Sequence, residues 1–375
     1  MDTRGFTIGV EEEFLVVDAA SGALKSDGPA LLPAARDGLG DDVHPELHPS
    51  QLEITTPVGE TLGDIRAELT RLRSELSATL AERGDRLAAT GTHPFSPWSD
   101  DPEINPQYEM LERQYQQIAR EQLICGGHVH VGIDDPELAI AVVNGVRPWL
   151  APIVALAANS PFWGGRDTGY ASYRTEMWRR WPTAGTPATF ADRAEYEALV
   201  ETLFRTRSID DHARIYWDVR PSAVFPTVEF RVADVGMTVD DTVMMAGLVR
   251  GLAATVAREA ESPGRAGTVG ARADGADVRL ELLGAARWRA ARYGISADLV
   301  DVTAGTAVPA RELVGRLLER LRPALVDLGD WDEVSDLVGC VLADGTGADR
   351  QRRVWAASGA LSAVVDFIVE ATAPG

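Results

Sequence analysis

The sequence predicts an α+β chain, with strands concentrated in roughly the first two-thirds and a helical C-terminal third. Three observations carry this. Four short segments alternate apolar and polar residues at a period of two. Leucines recur at helical spacing after Thr61. Beyond the Gly-rich segment Ser262–Asp277, only helix-like patterns remain.

Taken in order, Phe6–Asp18 reads as a strand and His48–Pro57 as another, ended by Pro57. Thr61–Arg83 is an amphipathic helix: Leu62, Ile65, Leu69, Leu72, Leu76 and Leu80 make one face, Thr61 and Asp64 a capping box, and Gly84 the stop. Arg86–Thr92 is a short strand, followed by a Pro-rich loop through Pro106 and a helix over Gln107–Arg120. Leu123–Ile133 is a strand, and Glu137–Ala158 an apolar helix that Pro148 and Pro152 should kink or split. Ser160–Thr189 reads as a long loop holding Trp163, Trp178 and Trp181 beside Arg166, Arg174, Arg179 and Arg180. It is expected to be either a lid over a site or an interface, although packing is the commoner fate of tryptophan. Strands follow near Arg214–Val219 and Pro226–Asp234, then a helix over Thr238–Glu261 with Thr238 and Asp241 as a second capping box. The remaining helices are expected at Val278–Tyr293, Ala310–Leu328, Asp332–Leu342 and Ala348–Thr372. With no repeat and no linker long enough to part it, 1–375 reads as a single catalytic domain. Within it, 1–261 is the sheet-rich core and 278–372 a helical part of the same unit.

Composition narrows the function. Charged residues make up 25% of the chain and the formal net charge is −21, which argues against nucleic acid and anionic membranes as partners. Met1–Gly5 is polar, and no run approaches the roughly 18 apolar residues of a membrane helix, so a soluble cytoplasmic protein is expected. Cys125 and Cys340 are too few for a disulfide framework. Lys25 is the only lysine, and it sits in a Gly/Ser/Asp-rich turn. Any phosphate must therefore be held by arginine, backbone N–H groups or metal.

The chemistry lies on the alternating segments, because strand residues i and i+2 share a face. Glu11 and Glu13 point one way, while Glu12 falls on the apolar face of Phe6, Ile8, Val10, Phe14 and Val16. Gln51, Glu53 and Thr55 share a face, as do His128 with His130 and Glu229 with Arg231. One such face is usually only a solvated edge. Four of uniform character, with carboxylates and imidazoles, one arginine and no lysine, need a counter-charge once brought together. Oxygen-rich sites with an occasional histidine suit Mg²⁺ or Mn²⁺, and zinc through His128 and His130 is the competing reading. Gly126, Gly127 and Gly132 suggest close approach of backbone or ligand, or a bulge.

At these residues the chain resembles the glutamate–cysteine ligase superfamily, in its bacterial carboxylate–amine ligase branch. The matching segments are Gly9–Phe14 (GVEEEF), Gln51–Pro57 (QLEITTP), Cys125–Gly132 (CGGHVHVG), Tyr173–Pro182 (YRTEMWRRWP) and Asp218–Asp234 (DVRPSAVFPTVEFRVAD). The resemblance implies a glutamine synthetase-like fold, a curved antiparallel half-barrel flanked by helices. It implies Glu11, Glu13, Glu53, His128 and Glu229 as metal ligands, with Arg231 facing the transferred phosphoryl group. Arg174, Arg220, His130 and Gln51 become candidates for binding substrate or ATP, His130 alternatively for orienting a ligand. The implied cofactors are ATP and Mg²⁺, or Mn²⁺. The implied reaction phosphorylates the side-chain carboxylate of glutamate and joins it to an amine, cysteine first among the candidates. A different amine acceptor, a nucleotide-free metal-dependent amidohydrolase and an idle binding protein are the alternatives. Small-molecule substrates are the expected partners, and a homo-oligomer is compatible with the sequence.

Overall fold

The computed structural model describes residues 5–96, 108–212, 214–262 and 278–374. Residues 97–106 of the Pro-rich loop, the predicted helix start at Gln107 and most of the Gly-rich segment lie outside these residues.

One antiparallel sheet organises the molecule. Its strands are β1 (Ile8–Asp18), β2 (Val43–Pro45), β3 (Gln51–Thr55), β4 (Asp85–Ala88), β5 (Gly126–Gly132), β8 (Val219–Pro221) and β9 (Thr227–Asp234), in the order β2-β3-β1-β5-β9-β8. Leu15 pairs with both Gln51 and Ala88, so β3 takes one edge of β1 while β5 and β4 divide the other. The apolar parity of β1, β5 and β9 faces helices. Ile8, Val10, Val129, Val131, Val228 and Phe230 pack with residues of α2 (Leu62–Ala81), α5 (Pro136–Val146), α6 (Leu150–Leu156) and α9 (Val239–Glu261). Both predicted capping boxes form, at Thr61/Asp64 and Thr238/Asp241, each satisfying helix N–H groups that would otherwise lack partners.

Several expectations are corrected. The sequence reading had no helix at α1 (Gly28–Leu39) or α8 (Arg193–Arg205) and no strand at β2. The helix ending at Arg120 breaks at Gln116, whose φ of 50° leaves α3 (Glu109–Tyr115) and α4 (Gln117–Arg120). As Pro148 suggested, a 3₁₀ turn at Arg147–Trp149 separates α5 from α6. Pro136–Leu156 nevertheless has the length and mean hydropathy (1.6) of a membrane span, which the sequence reading denied to any run. In the fold, 78% of that window is buried, which explains its apolar composition. Ser160–Thr189 is not a plain loop: it holds the hairpin β6 (Phe162–Trp163) and β7 (Arg166–Asp167), then helix α7 (Tyr173–Trp178), capped by Ser172. The strand expected at Arg214–Val219 forms later, as β8. The last third is not wholly helical. A hairpin, β10 (Asp298–Asp301) with β11 (Thr306–Pro309), follows α10 (Leu280–Tyr293) and precedes α11 (Ala310–Leu328) and α12 (Trp331–Asp344). Gly359, at φ 68°, splits the final predicted helix into α13 (Gly347–Ser358) and α14 (Leu361–Thr372).

Candidate active site

Strand register assembles the polar face. Glu13 lies opposite Glu53, Glu11 opposite both Thr55 and His128, His130 opposite Glu229, and Glu229 opposite Arg220. Direct cross-strand partners share a face at close range, so four weak parities become one continuous surface. Glu12 turns the other way, as parity predicted. It is fully buried and grips the Arg73 guanidinium with both oxygens, at 2.8 and 2.5 Å.

The five residues nominated as ligands are brought together. Ligand atoms of Glu11, His128 and Glu229 lie within 4.8 Å of one another, as do those of Glu13, Glu53 and His128, so His128 joins two groups. His128 Nδ1 donates to Glu11 Oε2 at 2.9 Å, and His130 Nε2 lies 3.2 Å from Glu11 Oε1, so Glu11 is held between two imidazoles. His130 Nδ1 sits 2.9 Å from Thr227 Oγ1. His130 therefore bridges Glu11 and Thr227.

Electrostatics make the cluster unstable by itself. Lost hydration, with the charges of Glu11, Glu46 and Glu13, pushes the Glu53 carboxyl well above the usual carboxylate range. Burial pushes the His128 ring down, aided by Arg231. Its Nε2 is buried, lacks a hydrogen-bond partner among the described residues, and lies 3.7 Å from Glu13 Oε1. Burial works against the charged form of Glu11 as well, yet bonds and charge from His128 and His130 hold it below the usual range. The donor set of four carboxylates and one unpartnered imidazole nitrogen fits a hard divalent cation. The His128 nitrogen orphaned here is one that such an ion would satisfy.

Arginines border this cluster. Arg231 pairs with Glu229 Oε1, and Arg220 Nε donates to Glu229 Oε2 at 2.8 Å. Against the effect of burial, these two cations hold the Glu229 carboxyl down at about 2. Arg174, 1% exposed, reaches in from α7 and lies directly over Gly126, where any Cβ would fall inside the guanidinium. The close approach expected there was of backbone or ligand; at Gly126 it is a side chain, and Gly127 borders a register shift with β9. Gly126 N–H also donates to Glu13 Oε2 at 2.6 Å. Gln51, a candidate substrate contact, is instead spent inside the fold. Its amide donates to Ile124 O at 2.8 Å and receives His48 N–H at 3.4 Å. Lys25 is engaged elsewhere, with Asp85 at 2.5 Å and Asp27 at 3.1 Å.

Sequence reasoning missed four contributors. β2 places His44 opposite Glu53, and Glu46 follows; burial and the charge of Glu13 push the Glu46 carboxyl up to about 8. The segment His44–His48 repeats the polar alternation seen elsewhere, but Pro45 and Pro49 masked it as a strand. Asp234 was missed because β9 carries a bulge opposite His128. Gly127 pairs with Ala233 but Val129 with Phe230, so Arg231 and Val232 together face one residue. The extra residue moves Asp234 onto the face of Glu229. There it accepts from Asn159 N–H, Ser160 Oγ and Ser172 Oγ, each at 2.7 Å, and so fixes the start of α7. Arg287, from α10 in the C-terminal third, pairs with buried Asp218 at 3.1 Å, and the Asp218 carbonyl receives Arg231 N–H.

Comparison with known proteins gives the family and the fold. Residues 7–366 match the model of glutamate–cysteine ligase family 2. A Frankia alni protein provisionally named glutamate–cysteine ligase 2-2 is 42% identical, over 99% of this chain and 98% of its own. A Salinispora arenicola protein provisionally named glutamate–cysteine ligase 2 is also 42% identical, over 100% and 97%. In fold, the chain is similar to the Francisella tularensis glutamate–cysteine ligase solved with AMP (TM-score 0.71, 13% identity, 98% of this chain and 88% of that one). It is also similar to a bifunctional glutathione synthetase from Pasteurella multocida (TM-score 0.72, 17% identity, 98% and 51%).

Proposed function

Because the chain belongs to glutamate–cysteine ligase family 2, it is an ATP-dependent carbon–nitrogen ligase, and we propose that it joins the side-chain carboxylate of glutamate to the amine of cysteine. The observation that carries the reading is the shared face itself: two carboxylate–imidazole groups meeting at His128, bordered by Arg231, Arg220 and Arg174. Anionic substrates approach an acidic cluster only if cations intervene.

In this reading Glu11, Glu13, Glu53, His128 and Glu229 hold Mg²⁺ or Mn²⁺. When bound, the metal neutralises phosphate charge and brings ATP to an acidic surface. The carboxylate of glutamate attacks the γ-phosphorus of ATP, releasing ADP and leaving an acyl phosphate. The amine then attacks the acyl carbon, phosphate leaves and an amide remains. Arg231 is placed to meet the charge of the transferred phosphoryl group, and its pairing with Glu229 keeps the guanidinium aimed before substrate arrives. Arg174 and Arg220 supply fixed forks for phosphate or carboxylate oxygens. His130 keeps Glu11 in place through the Thr227 contact. We extend the proposal to the whole chain as one catalytic unit, since Arg287 and Gln351 tie the C-terminal third to Asp218 and Asn159.

The test is ADP release across a panel of amino acids and amines. The reading requires release that depends on Mg²⁺, glutamate and an amine together, with cysteine fastest. Another amine leading would change the acceptor. Amide cleavage without ATP would replace the reading with a hydrolase. Arg231→Ala should abolish release in a protein that stays folded.

A further inference from the structure

We propose that Trp178 is a positioning residue that holds Arg174 and Arg231 side by side as a paired clamp for phosphoryl oxygens; this rests on the ligase reading above. The guanidinium carbons of Arg174 and Arg231 lie 5.5 and 5.3 Å from the centre of the same indole ring. Cations within about 6 Å of an aromatic face are attracted by its negative quadrupole, most strongly for tryptophan and most of all where water is excluded. Trp178 is 7% exposed and its orientation is fixed: the indole N–H donates to Tyr216 O at 3.1 Å, and the Tyr216 ring meets it edge-on at 5.3 Å.

The two arginines need such a support because their charges are unequally compensated. Arg231 has Glu229. Arg174 is buried and has no ion pair within 4 Å among the described residues; Asp234 and Glu13 act on it only from farther off. Among the described residues its one guanidinium hydrogen bond, at 3.5 Å, goes to the Arg231 carbonyl, and its buried Nε has no acceptor. The two guanidinium groups repel each other unless something attracts both. The Trp178 face does so, and the remaining unmet N–H groups of Arg174 and Arg231 are those an anion would fill. Trp178 also packs with Met177, Trp181, Leu111 and Ile124, so a purely structural role predicts that stability and activity fall together.

The experiment compares Trp178→Phe and Trp178→Leu. The clamp predicts a kcat within about threefold of wild type for Phe, which keeps a weaker aromatic face, and a loss of about tenfold or more for Leu. KM for the amine should not change, and the two variants should melt at similar temperatures. Equal kcat in the two variants at similar stability overturns the proposal. A readout without turnover separates it from the ligase reading. Wild type minus Trp178→Phe tryptophan fluorescence should change when a non-hydrolysable ATP analogue and Mg²⁺ are added. If that signal appears but no amine yields ADP, the ligase reading falls and the clamp stands. If ADP release is normal and the signal is absent, the clamp falls alone.

Discussion

At the residue scale, three consecutive glutamates have three different environments. Glu11 is gripped by two imidazoles, Glu13 accepts Gly126 N–H, and Glu12 is sealed behind the sheet against Arg73. Parity separates them because a strand sends neighbours to opposite faces. Glu53 is the costliest member of the cluster. Its raised carboxyl means that ionisation at neutral pH works against the fold unless a cation is present. Glu53→Gln should therefore melt no lower than wild type in chelator, yet lose the Mg²⁺-dependent stabilisation, about 2.7 kcal/mol for wild type at a hundredfold excess over Kd. A chelated variant that melts well below wild type would contradict this. His93 lies away from the site and offers a cleaner titration. Its Nδ1 accepts Ser96 N–H at 2.9 Å while Nε2 sits 2.9 Å from Gly22 O, and burial pushes the ring down to about 4. The unfolded chain binds this proton first, so the stability is present above pH ~6.5 and is lost as pH falls toward 4, by about 3 kcal/mol. Stability measured over that window should fall less steeply in His93→Gln than in wild type. Parallel slopes would refute the assignment.

At the element scale, the β9 bulge and the glycines of β5 matter more than any single strand. The bulge lets Glu229, Arg231 and Asp234 serve one site from one strand, although their spacing breaks simple alternation. Gly126 leaves the space that Arg174 occupies. Gly126→Ala should displace that guanidinium and cost activity well beyond the about 1–3 kcal/mol expected of overpacking, with kcat and melting temperature measured together. Wild-type kcat in this variant would show that the position of Arg174 is not needed. Helix α7 shows why the segment around it read as a loop. It is only six residues long and is anchored by tertiary contacts to Asp234, which no local pattern announces.

At the scale of the whole molecule, charge and connectivity dominate. With a net charge of −21, long-range repulsion opposes the compact state. Raising NaCl from about 10 to about 150 mM shortens the screening length from about 30 to about 8 Å, so the melting temperature should rise. A fall would mean that surface ion pairs outweigh the net repulsion. The C-terminal third, which carries no motif, still braces the site through Arg287–Asp218 and through Gln351, whose amide donates to Asn159 Oδ1 at 2.8 Å.

The sequence alone determined the polar faces, two of the three capping boxes among the described residues and the long helices. Each follows from short-range periodicity or from composition, and the strand faces carrying Glu11, Glu13, Glu53, His128 and Glu229 were legible for that reason. Only the tertiary structure decided that these faces coincide, that Asp234, Glu46 and Arg287 join them, that Gln51 turns inward, and that Trp178 lies against two arginines. Those outcomes depend on register, on one bulged residue and on contacts between segments far apart in the chain. No local spacing encodes them, because they are settled only when the strands pair.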